Sequence, residues 1–486
     1  MRIFRGLALA CLIGYAALRL GGVEEIVFYP IFLGLVLLFL VSLIDGIRVE
    51  WWGWILLVPL VPMMVNGSYP FEILQFVALW LAIVLASFQM RKDWDAGKKI
   101  PTFIYMILAI GALEAVLGLS QSLGRFAGKD IPFFPVGTIY NRNHFAGFLE
   151  LLVPMCFAIG MVLVGARRRR SAIPNSEFRI PNSAHANLES GGRDSASRSI
   201  DQLRTTAKRR ANQEIRNTEY GIRNHRGIRN RRDEGAKSWL FLLIGGVLFL
   251  AILFSLSRGG AVAAVCGTVT AGTLLWLRMK GEGRTRSDSR FLIGGIGTLV
   301  VVAALWIGMQ PVVERFLMVP EHADDRSGIW VGTVQIIQEN PLAGVGGGMH
   351  GWAFTRFNDR NPDTFYDYAH NDYLQAAAEW GLPAALIFFG TLFFLVWQAG
   401  KACVDSENRI RAGLIAGGVG GVVALLVHSF VDFNFYIPSN AMLFGLVFGA
   451  ACGLARTVEV RVIVPARKRS NVKTFEGSNV EPLREF

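Results

Sequence analysis

Long runs of apolar residues recur along this chain, and short polar or charged stretches separate them. Each run approaches the roughly 20 residues that an α-helix needs to cross a bilayer. Lipid offers no water to backbone groups, so a spanning segment has to satisfy them within its own helix. The pattern predicts an all-α polytopic integral membrane protein with about twelve transmembrane helices. The predicted spans are 6–22, 27–45, 51–66, 70–90, 101–122, 143–165, 238–256, 259–277, 291–309, 381–399, 411–429 and 437–455.

The composition supports this class. The chain has 486 residues, 52% of them hydrophobic, and a mean hydropathy of +0.40. Only 18% of the residues are charged, which excludes an ordinary soluble enzyme of this size. The five cysteines are scattered and form no Cys-x-x-Cys pair, so they indicate small core residues, not a disulfide framework or a zinc site.

The basic residues predict the orientation, because loops rich in Lys and Arg stay on the cytoplasmic side. If the N-terminus is cytoplasmic, twelve spans place nearly every basic cluster on that side, with Arg19 as an exception. The C-terminus is then cytoplasmic as well. The basic clusters lie at 2–5, 48, 91–99, 166–237, 278–290, 401–411 and beyond 456.

The segment 166–237 is a basic low-complexity insert, with 18 Lys and Arg residues against 8 acidic ones. Its composition predicts a disordered cytoplasmic segment. A basic arm of this kind can contact nucleic acid, but contact with the anionic lipids of the inner leaflet is favoured. The simplest interpretation is a tolerated insertion that reinforces the orientation, with no nucleic-acid partner.

These features divide the chain into six parts. They are transmembrane helices one to six at 1–165, the basic insert at 166–237, transmembrane helices seven to nine at 238–309, a large loop on the outer side at 310–380, transmembrane helices ten to twelve at 381–455, and a cytoplasmic tail at 456–486.

The 310–380 loop contains four arginines, no lysine and ten acidic residues, a net charge of −6. The apolar periodicity of residues 327–338 predicts a short amphipathic helix, which Pro341 ends. Residues 372–380 predict a second helix, which Gly381 stops. Loops this long are usually functional or disordered, and the aromatic and glycine content of this loop favours an ordered one.

Arg258 lies between two apolar spans at the outward face, where a charge costs roughly 3 kcal/mol on insertion scales. It either forms a salt bridge at the membrane surface or serves as an anion clamp, since a guanidinium grips phosphate with two parallel bonds. Arg326 opens the first loop helix and has two similar interpretations, an ion pair with Asp324 or Asp325 or a second arm of the clamp. No further ligand cluster stands near these aspartates, so no metal site is predicted.

His370 is one of three histidines in the loop, with His322 and His350. A single histidine is often structural, yet its ordinary pKa suits proton abstraction near neutral pH. Asn371 and Asp372 stand next to His370 and could orient its ring or a substrate.

The loop also contains the run Gly-Val-Gly-Gly-Gly-Met-His-Gly at 344–351. It matches G-x-G-x-x-G from Gly346 onward, but no strand precedes it and no P-loop motif is present. A flexible turn is the default interpretation. The alternative is that backbone amides around Gly346 cradle a phosphate.

Polar residues at the outer ends of the sixth and eleventh spans complete the candidate substrate-binding set: Arg142, Asn143, His144 and Asp432. Asn143 and Glu150 share one helical face, and His428 and Asp432 stand at i and i+4. Such a face either lines a cavity or forms hydrogen bonds between helices. Glu114 and Glu150 lie within spans, where carboxylates are functional candidates that include proton relays.

Together these motifs resemble the bacterial O-antigen ligase and O-antigen polymerase superfamily, over roughly 135–455 without the insert. The resemblance rests on the order of Asn141-Arg-Asn-His-Phe-Ala-Gly, Ser257-Arg-Gly-Gly, Arg326-Ser-Gly-Ile-Trp, Asn340-Pro-Leu-Ala-Gly-Val-Gly, Ala369-His-Asn-Asp-Tyr and His428-Ser-Phe-Val-Asp.

The resemblance implies a glycosyltransferase of the GT-C type in the bacterial inner membrane, with its active site on the periplasmic side. The donor would be a glycan on undecaprenyl diphosphate, and the acceptor a hydroxyl of a glycan, of the lipid A core or of a protein. Arg258 and Arg326 would hold the diphosphate, and His370 would act as the base or position the acceptor. No metal and no other cofactor is implied.

Two rival interpretations remain at this point. A secondary transporter or lipid-linked-sugar flippase suits the twelve spans and the carboxylates Glu114 and Glu150. Transporters often contain two similar halves, and this chain shows no internal repeat. A non-catalytic scaffold could instead use the 166–237 insert as a tether.

Overall fold

The structure is a computed structural model that describes residues 2–19, 24–95, 100–126, 136–139, 141–171, 235–281, 323–358 and 364–457. The described residues form helices and turns, and none of them lies in a strand. The predicted all-α class is therefore confirmed for this part of the chain.

Sixteen α-helices are described, and two short 3-10 segments join them at Thr355–Phe357 and Asn434–Tyr436. The α-helices are α1 (Arg2–Leu18), α2 (Glu25–Ile44), α3 (Trp51–Ile55), α4 (Leu60–Val65), α5 (Pro70–Asp95), α6 (Thr102–Phe126), α7 (Arg142–Glu150), α8 (Val153–Ser171), α9 (Gly235–Phe254), α10 (Arg258–Gly281), α11 (Ala323–Glu339), α12 (His350–Phe354), α13 (Asp372–Trp380), α14 (Leu382–Asp405), α15 (Arg409–His428) and α16 (Pro438–Ala455).

Nine helical stretches within the described ranges are long and apolar enough to cross a membrane. Each coincides with a predicted span. The predicted spans 6–22 and 51–66 correspond to shorter apolar helices, Ile3–Leu18 and Trp51–Val65. The span predicted at 291–309 and most of the 166–237 insert lie outside the described residues, so the total of twelve stays a prediction.

Two predicted spans are interrupted, and proline explains both interruptions. Turn residues 56–59 separate α3 from α4 and end at Pro59. Residues 151–152 separate α7 from α8, whose second residue is Pro154. Proline has no backbone N–H, and its ring displaces the carbonyl four residues earlier.

Glycines let the central helices approach closely. α16 packs along α5 through glycines at three successive turns, Gly445, Gly449 and Gly453. A Cβ at position 449 would meet the carbonyl oxygen of Ile83, and one at 453 would lie 2.5 Å from that of Ser87. Small residues at this spacing are the usual means of close helix contact in membranes. α10 and α15 approach in the same way at Gly267 and Gly420.

Ion pairs join the helix ends on one side of the bundle. Arg5 Nη1 lies 2.7 Å from Asp45 Oδ2. Glu50 pairs with Arg91 at 2.6 Å and with Arg456 at 2.7 Å. The turns after α4, before α10 and after α15 lie at the other end, together with the described part of the 310–380 loop.

The two helices predicted in the loop are present. The helix predicted at 372–380 has those bounds as α13, because the Asn371 side chain caps its start and Gly381 ends it at a φ of 80°. The helix predicted at 327–338 is longer and spans Ala323–Glu339 as α11. Asp324 and Asp325 therefore lie in its first turn, not at its cap.

The glycine contacts predict how α16 responds to one added methyl group. Gly449→Ala forces its Cβ against the α5 backbone, and overpacking of this kind costs about 1–3 kcal/mol. We expect a lower thermal midpoint in detergent. The control is Gly390→Ala on α14, where an added Cβ meets nothing within 4 Å. Equal midpoints for the two variants would contradict the packing.

Candidate active site around Asp432

One buried carboxylate gathers three histidines from separate parts of the chain. Asp432 is 1% exposed and follows α15. Its Oδ1 lies 3.8 Å from Nε2 of His144 and 3.7 Å from Nδ1 of His370. Its Oδ2 lies 3.9 Å from Nε2 of His428. These residues are 288 positions apart at the extremes, so the cluster exists only in the folded bundle.

The histidines determine the ionisation of this carboxylate. Burial alone would raise the pKa of Asp432, because it disfavours the charged form. The interaction with His370 and the charges of His144 and His428 outweigh that effect and hold the pKa below its usual range. Asp432 is therefore a carboxylate near neutral pH, and a fixed negative charge lies beside the three rings.

Phe433 separates two of the histidine rings. Its ring meets His144 edge-on at 4.8 Å and His370 edge-on at 4.9 Å between centroids. Tyr368 stacks on Phe433 at 4.2 Å. The aromatic contacts hold the ring planes of His144 and His370, and one nitrogen of each histidine ring lies within 3.9 Å of the Asp432 carboxylate.

His370 is the accessible member of the cluster, with its side chain 33% exposed. Its φ is 52°, a left-handed value that a non-glycine residue rarely adopts. Hydrogen bonds on both sides of His370 hold this conformation. Asn371 caps α13 and donates to the Phe430 carbonyl at 3.1 Å. Gln375 accepts from the Ala369 N–H at 2.6 Å. Strain that the surroundings impose in this way is typical of functional sites.

Asp372 joins the same helix to the turn after α15. It is 1% exposed and accepts hydrogen bonds from the Phe435 N–H at 3.3 Å and 3.4 Å. Its own N–H donates to the Ser429 carbonyl at 2.9 Å. Burial raises the pKa of Asp372 well above its ordinary value. In this structure Asn371 and Asp372 support the backbone around His370.

Arg258 and Arg326 lie at helix starts near the cluster. Arg258 is the first residue of α10, and a Cβ on the following Gly259 would lie 2.7 Å from Cδ2 of His428. Leu256, two residues before Arg258, is the second described non-glycine residue with a positive φ, at 57°. Arg326 lies one turn before Trp330, whose Nε1 donates to the Ala369 carbonyl at 3.0 Å.

The start of α7 brings the remaining polar candidates to this region. The Asn141 side chain caps the helix by accepting from the Asn143 N–H at 2.8 Å. Arg142 is the first helical residue, and His144 reaches Asp432 two residues later. Asn440 of α16 donates to the His144 carbonyl at 2.9 Å. The start of α7 is thus bonded to α16 and lies against Asp432.

Glu150 and Glu114, the two carboxylates within predicted spans, have different surroundings. Glu150 faces Nδ1 of His428 at 3.0 Å and 3.1 Å, so it belongs to the cluster. Glu114 accepts from the N–H of Thr138 at 2.9 Å and from its hydroxyl. Glu114 therefore holds the turn before α7 against α6.

His350 has a structural environment that differs from that of His370. It is fully buried, and its Nε2 lies 2.9 Å from the Thr333 hydroxyl while its Nδ1 lies 3.2 Å from the Asp367 carbonyl. Burial lowers the pKa of His350 to about 4, so its ring is neutral. His322 lies outside the described residues. Of the two described loop histidines, His370 has the ring that a substrate can reach.

Hydrogen bonds to Glu379 and Ser68 order the glycine run at 344–351. The N–H of Gly346 donates to the Glu379 carbonyl at 3.0 Å, and the N–H of Gly347 to Ser68 Oγ at 2.6 Å. The Glu379 carboxylate accepts from the backbone of Gly348 and His350 and from the Tyr436 hydroxyl at 2.8 Å. The amides at these positions thus have partners within the chain, and a phosphate contact at Gly346 stays a prediction.

Sequence reasoning did not assign Trp330, Phe433 and Glu379 to this region. Trp330 ends the motif Arg326-Ser-Gly-Ile-Trp, and its position one turn after Arg326 is a signal that could have placed it near the site. Phe433 follows Asp432 directly. No local pattern marked Glu379 for this role, because the backbone groups that donate to it, those of Gly348 and His350, lie some 30 residues earlier.

The fold and this cluster define a class: a multi-pass helical membrane protein with a polar, histidine-rich site at one end of its bundle. Residues 241–389 match the family model described as O-Antigen ligase (Wzy_C). The resemblance to the O-antigen ligase and polymerase superfamily is thereby confirmed over these residues, which make up less than a third of the chain. No curated protein matches the chain.

Glu379 predicts a change of stability with pH. Burial raises its pKa from 4.5 to about 7, so the folded state binds its proton more tightly than the unfolded chain. Protonated Glu379 therefore adds to the free energy of unfolding at low pH. This added stability is lost as the pH rises from about 4.5 to about 7, and the loss is at most about 3 kcal/mol. We expect the thermal midpoint to fall over this range in wild type and less in Glu379→Gln.

The matched control is Glu339→Gln, which changes a half-exposed glutamate of the same loop. It should keep the wild-type dependence on pH. Parallel curves for wild type and Glu379→Gln would show that Glu379 does not titrate in this range.

Proposed function

We propose that this protein is a membrane glycosyltransferase that moves a glycan from undecaprenyl diphosphate to an acceptor hydroxyl at the periplasmic face of the bacterial inner membrane. The observation that carries the proposal is the pairing of His370 with Asp432 near the helix starts that bear Arg258 and Arg326. The family match supports an O-antigen ligase or polymerase type of function, and residues 241–389 include Arg258, Arg326 and His370.

His370 is the proposed general base. Because Nδ1 faces the Asp432 carboxylate at 3.7 Å, it carries the proton in the neutral ring, and Nε2 keeps its lone pair. The exposed ring can then take a proton at Nε2 from an acceptor hydroxyl. Asp432 stabilises the imidazolium that forms, in the same way that an aspartate supports the histidine of a hydrolase triad.

The acceptor oxygen attacks the anomeric carbon of the donor sugar as its proton moves to Nε2 of His370. The new glycosidic C–O bond forms, and the bond from that carbon to the diphosphate oxygen breaks. The lipid diphosphate leaves with the electron pair. Attack opposite the leaving group inverts the configuration at this carbon, and the proton later passes from His370 to water.

Arg258 and Arg326 are the proposed diphosphate ligands. Negative charge grows on the diphosphate as the bond breaks, and fixed cations in a partly dry site stabilise it without reorganising. Guanidinium groups supply this charge, so the proposed reaction includes no metal ion. A lysine at either position would keep the charge but lose the planar fork that matches phosphate.

The remaining candidates surround this chemistry. Arg142, Asn143 and His144 are the proposed substrate-binding residues on α7, and Asn371 and Asp372 are proposed to shape the substrate site beside the base through the backbone that they support. A glycan, the lipid A core and a protein side chain all offer a hydroxyl that satisfies the same reaction. The three acceptors are distinguished by offering each one to the purified protein.

The transfer reaction tests the three central residues. Purified protein is incubated with a lipid-diphosphate oligosaccharide and candidate acceptors in the presence of EDTA. We expect transfer by wild type and a loss of about 100-fold or more in Arg258→Ala, Arg326→Ala and His370→Ala, because each removes charge stabilisation or base catalysis. All three should insert and fold.

The control is Arg356→Ala, which removes an exposed arginine of the same loop that lies 3.2 Å from Glu339. It should transfer like wild type. Full activity in any of the three test variants removes that residue from its proposed role. Uptake of the donor by vesicles without any transfer would favour the transporter instead.

A deletion separates the enzyme from a scaffold. The insert lies between α8 and α9, whose facing ends, Ser171 and Gly235, are at the opposite end of those helices from the Asp432 cluster. Replacing 172–234 by a short Gly-Ser linker should therefore leave the transfer rate unchanged. A correctly inserted deletion variant that has lost transfer would support a tethering role for the insert.

A further inference from the structure

Glu150 and His428 form a buried pair that the reaction described above does not use. Glu150 lies at the end of α7 and His428 at the end of α15, and they are 0% and 1% exposed. The two oxygens of Glu150 lie 3.1 Å and 3.0 Å from Nδ1 of His428. The other ring nitrogen, Nε2, lies 3.9 Å from Oδ2 of Asp432. One imidazole thus lies between two carboxylates.

The carboxylate of Asp432 divides its oxygens between two sets of partners. Oδ1 faces His144 and His370 and accepts the Phe433 N–H at 2.9 Å. Oδ2 faces His428. The Phe433 N–H holds Oδ1, and the His428 ring lies against the other oxygen of the same carboxylate, so the ring limits how the carboxylate can turn.

Backbone packing shapes a close-fitting site for this pair. A Cβ at Gly259 would lie 2.7 Å from the His428 ring, and a Cβ at Gly260 would lie 3.4 Å from Oε2 of Glu150. Both glycines directly follow Arg258, so the first turn of α10 packs against the pair.

A purely structural ion pair is a weak explanation for these residues. Burying two charged groups costs several kcal/mol each, and well-packed apolar residues are often as stable or more so. An ionised carboxylate only accepts hydrogen bonds, so Nδ1 of His428 carries a proton toward Glu150. The bond to Glu150 fixes the ring, and Nε2 is left facing Asp432.

We propose that Glu150 and His428 are positioning residues of the transfer site: they fix the Asp432 carboxylate, which in turn orients the His370 imidazole. This inference rests on the proposed function. Neither residue touches the substrate. Their effect reaches the acceptor proton through Asp432 and His370, so they influence the chemical step and leave donor binding unchanged.

The first test is Glu150→Gln, which keeps an oxygen for the His428 N–H and removes the negative charge. We expect kcat for transfer to fall about 10- to 100-fold, as for other residues that support a reacting group, with an unchanged KM for the lipid-linked donor. The control is Glu114→Gln, the same change at an equally buried carboxylate that holds Thr138. It should keep the wild-type kcat.

The second test separates the two nitrogens of His428. Asparagine places its amide nitrogen where Nδ1 lies, so His428→Asn can bond Glu150 but cannot reach Asp432. Glutamine places its amide nitrogen where Nε2 lies, so His428→Gln can donate to Asp432 but loses Glu150. A positioning role predicts the higher kcat per folded molecule for His428→Gln. A structural link between α7 and α15 predicts the higher kcat for His428→Asn.

These outcomes are distinguishable from failure of the proposed function. Wild type that transfers no glycan to any acceptor contradicts the glycosyltransferase itself. Active wild type with a normal kcat in Glu150→Gln contradicts only the positioning role. A lower thermal midpoint with an unchanged kcat would assign Glu150 and His428 to folding alone and would also overturn the inference.

Discussion

A carboxylate that is 1% exposed inside a bundle of membrane helices is stable only when nearby groups compensate its charge. Asp432 has this compensation from the Phe433 N–H at 2.9 Å and from the histidine rings around it, which lie at 3.7 to 3.9 Å. Each histidine comes from a different element: α7, the segment before α13, and α15. The carboxylate therefore determines how these elements meet, and much of the candidate site depends on this one charge.

The helices can bring these groups together because glycine lines their contacts. Gly259 lets the first turn of α10 lie against the His428 ring, and Gly147 lets α7 approach Asn434. Glycine in a helix weakens its intrinsic stability, and in lipid that loss is outweighed by close backbone contact. A rigid backbone then holds the polar residues, which suits chemistry that relies on preorganised charge.

The sequence predicted the helices better than their contacts. Apolar runs located the described spans, because the membrane requires a length that composition reveals. The stop at Gly381 gave the end of α13. The prediction missed the interruption at Pro59 and the longer α11. Hydropathy records how far a run extends and does not show a break within it.

The sequence could not predict which side chains pair with each other inside the site. Glu150 and His428 are 278 residues apart, and only the packing of α7 against α15 brings them together. His428 and Asp432 were recognised as one helical face, because their spacing of four is local. Likewise the glycine run at 344–351 indicated a flexible turn, with a cradle for an anion as the alternative, and no local pattern indicated that Glu379 of the same chain would accept hydrogen bonds from its backbone.

The account depends on Asp432 acting through His370, and a double-mutant cycle on the transfer rate tests this most directly. Single-turnover rates would be measured for wild type, Asp432→Asn, His370→Gln and the double variant. If Asp432 acts through the imidazole, the double variant is no slower than His370→Gln. The cycle then gives a coupling free energy between Asp432 and His370 of about 2 kcal/mol or more. Losses that simply multiply would show that the two residues act independently and would contradict the account.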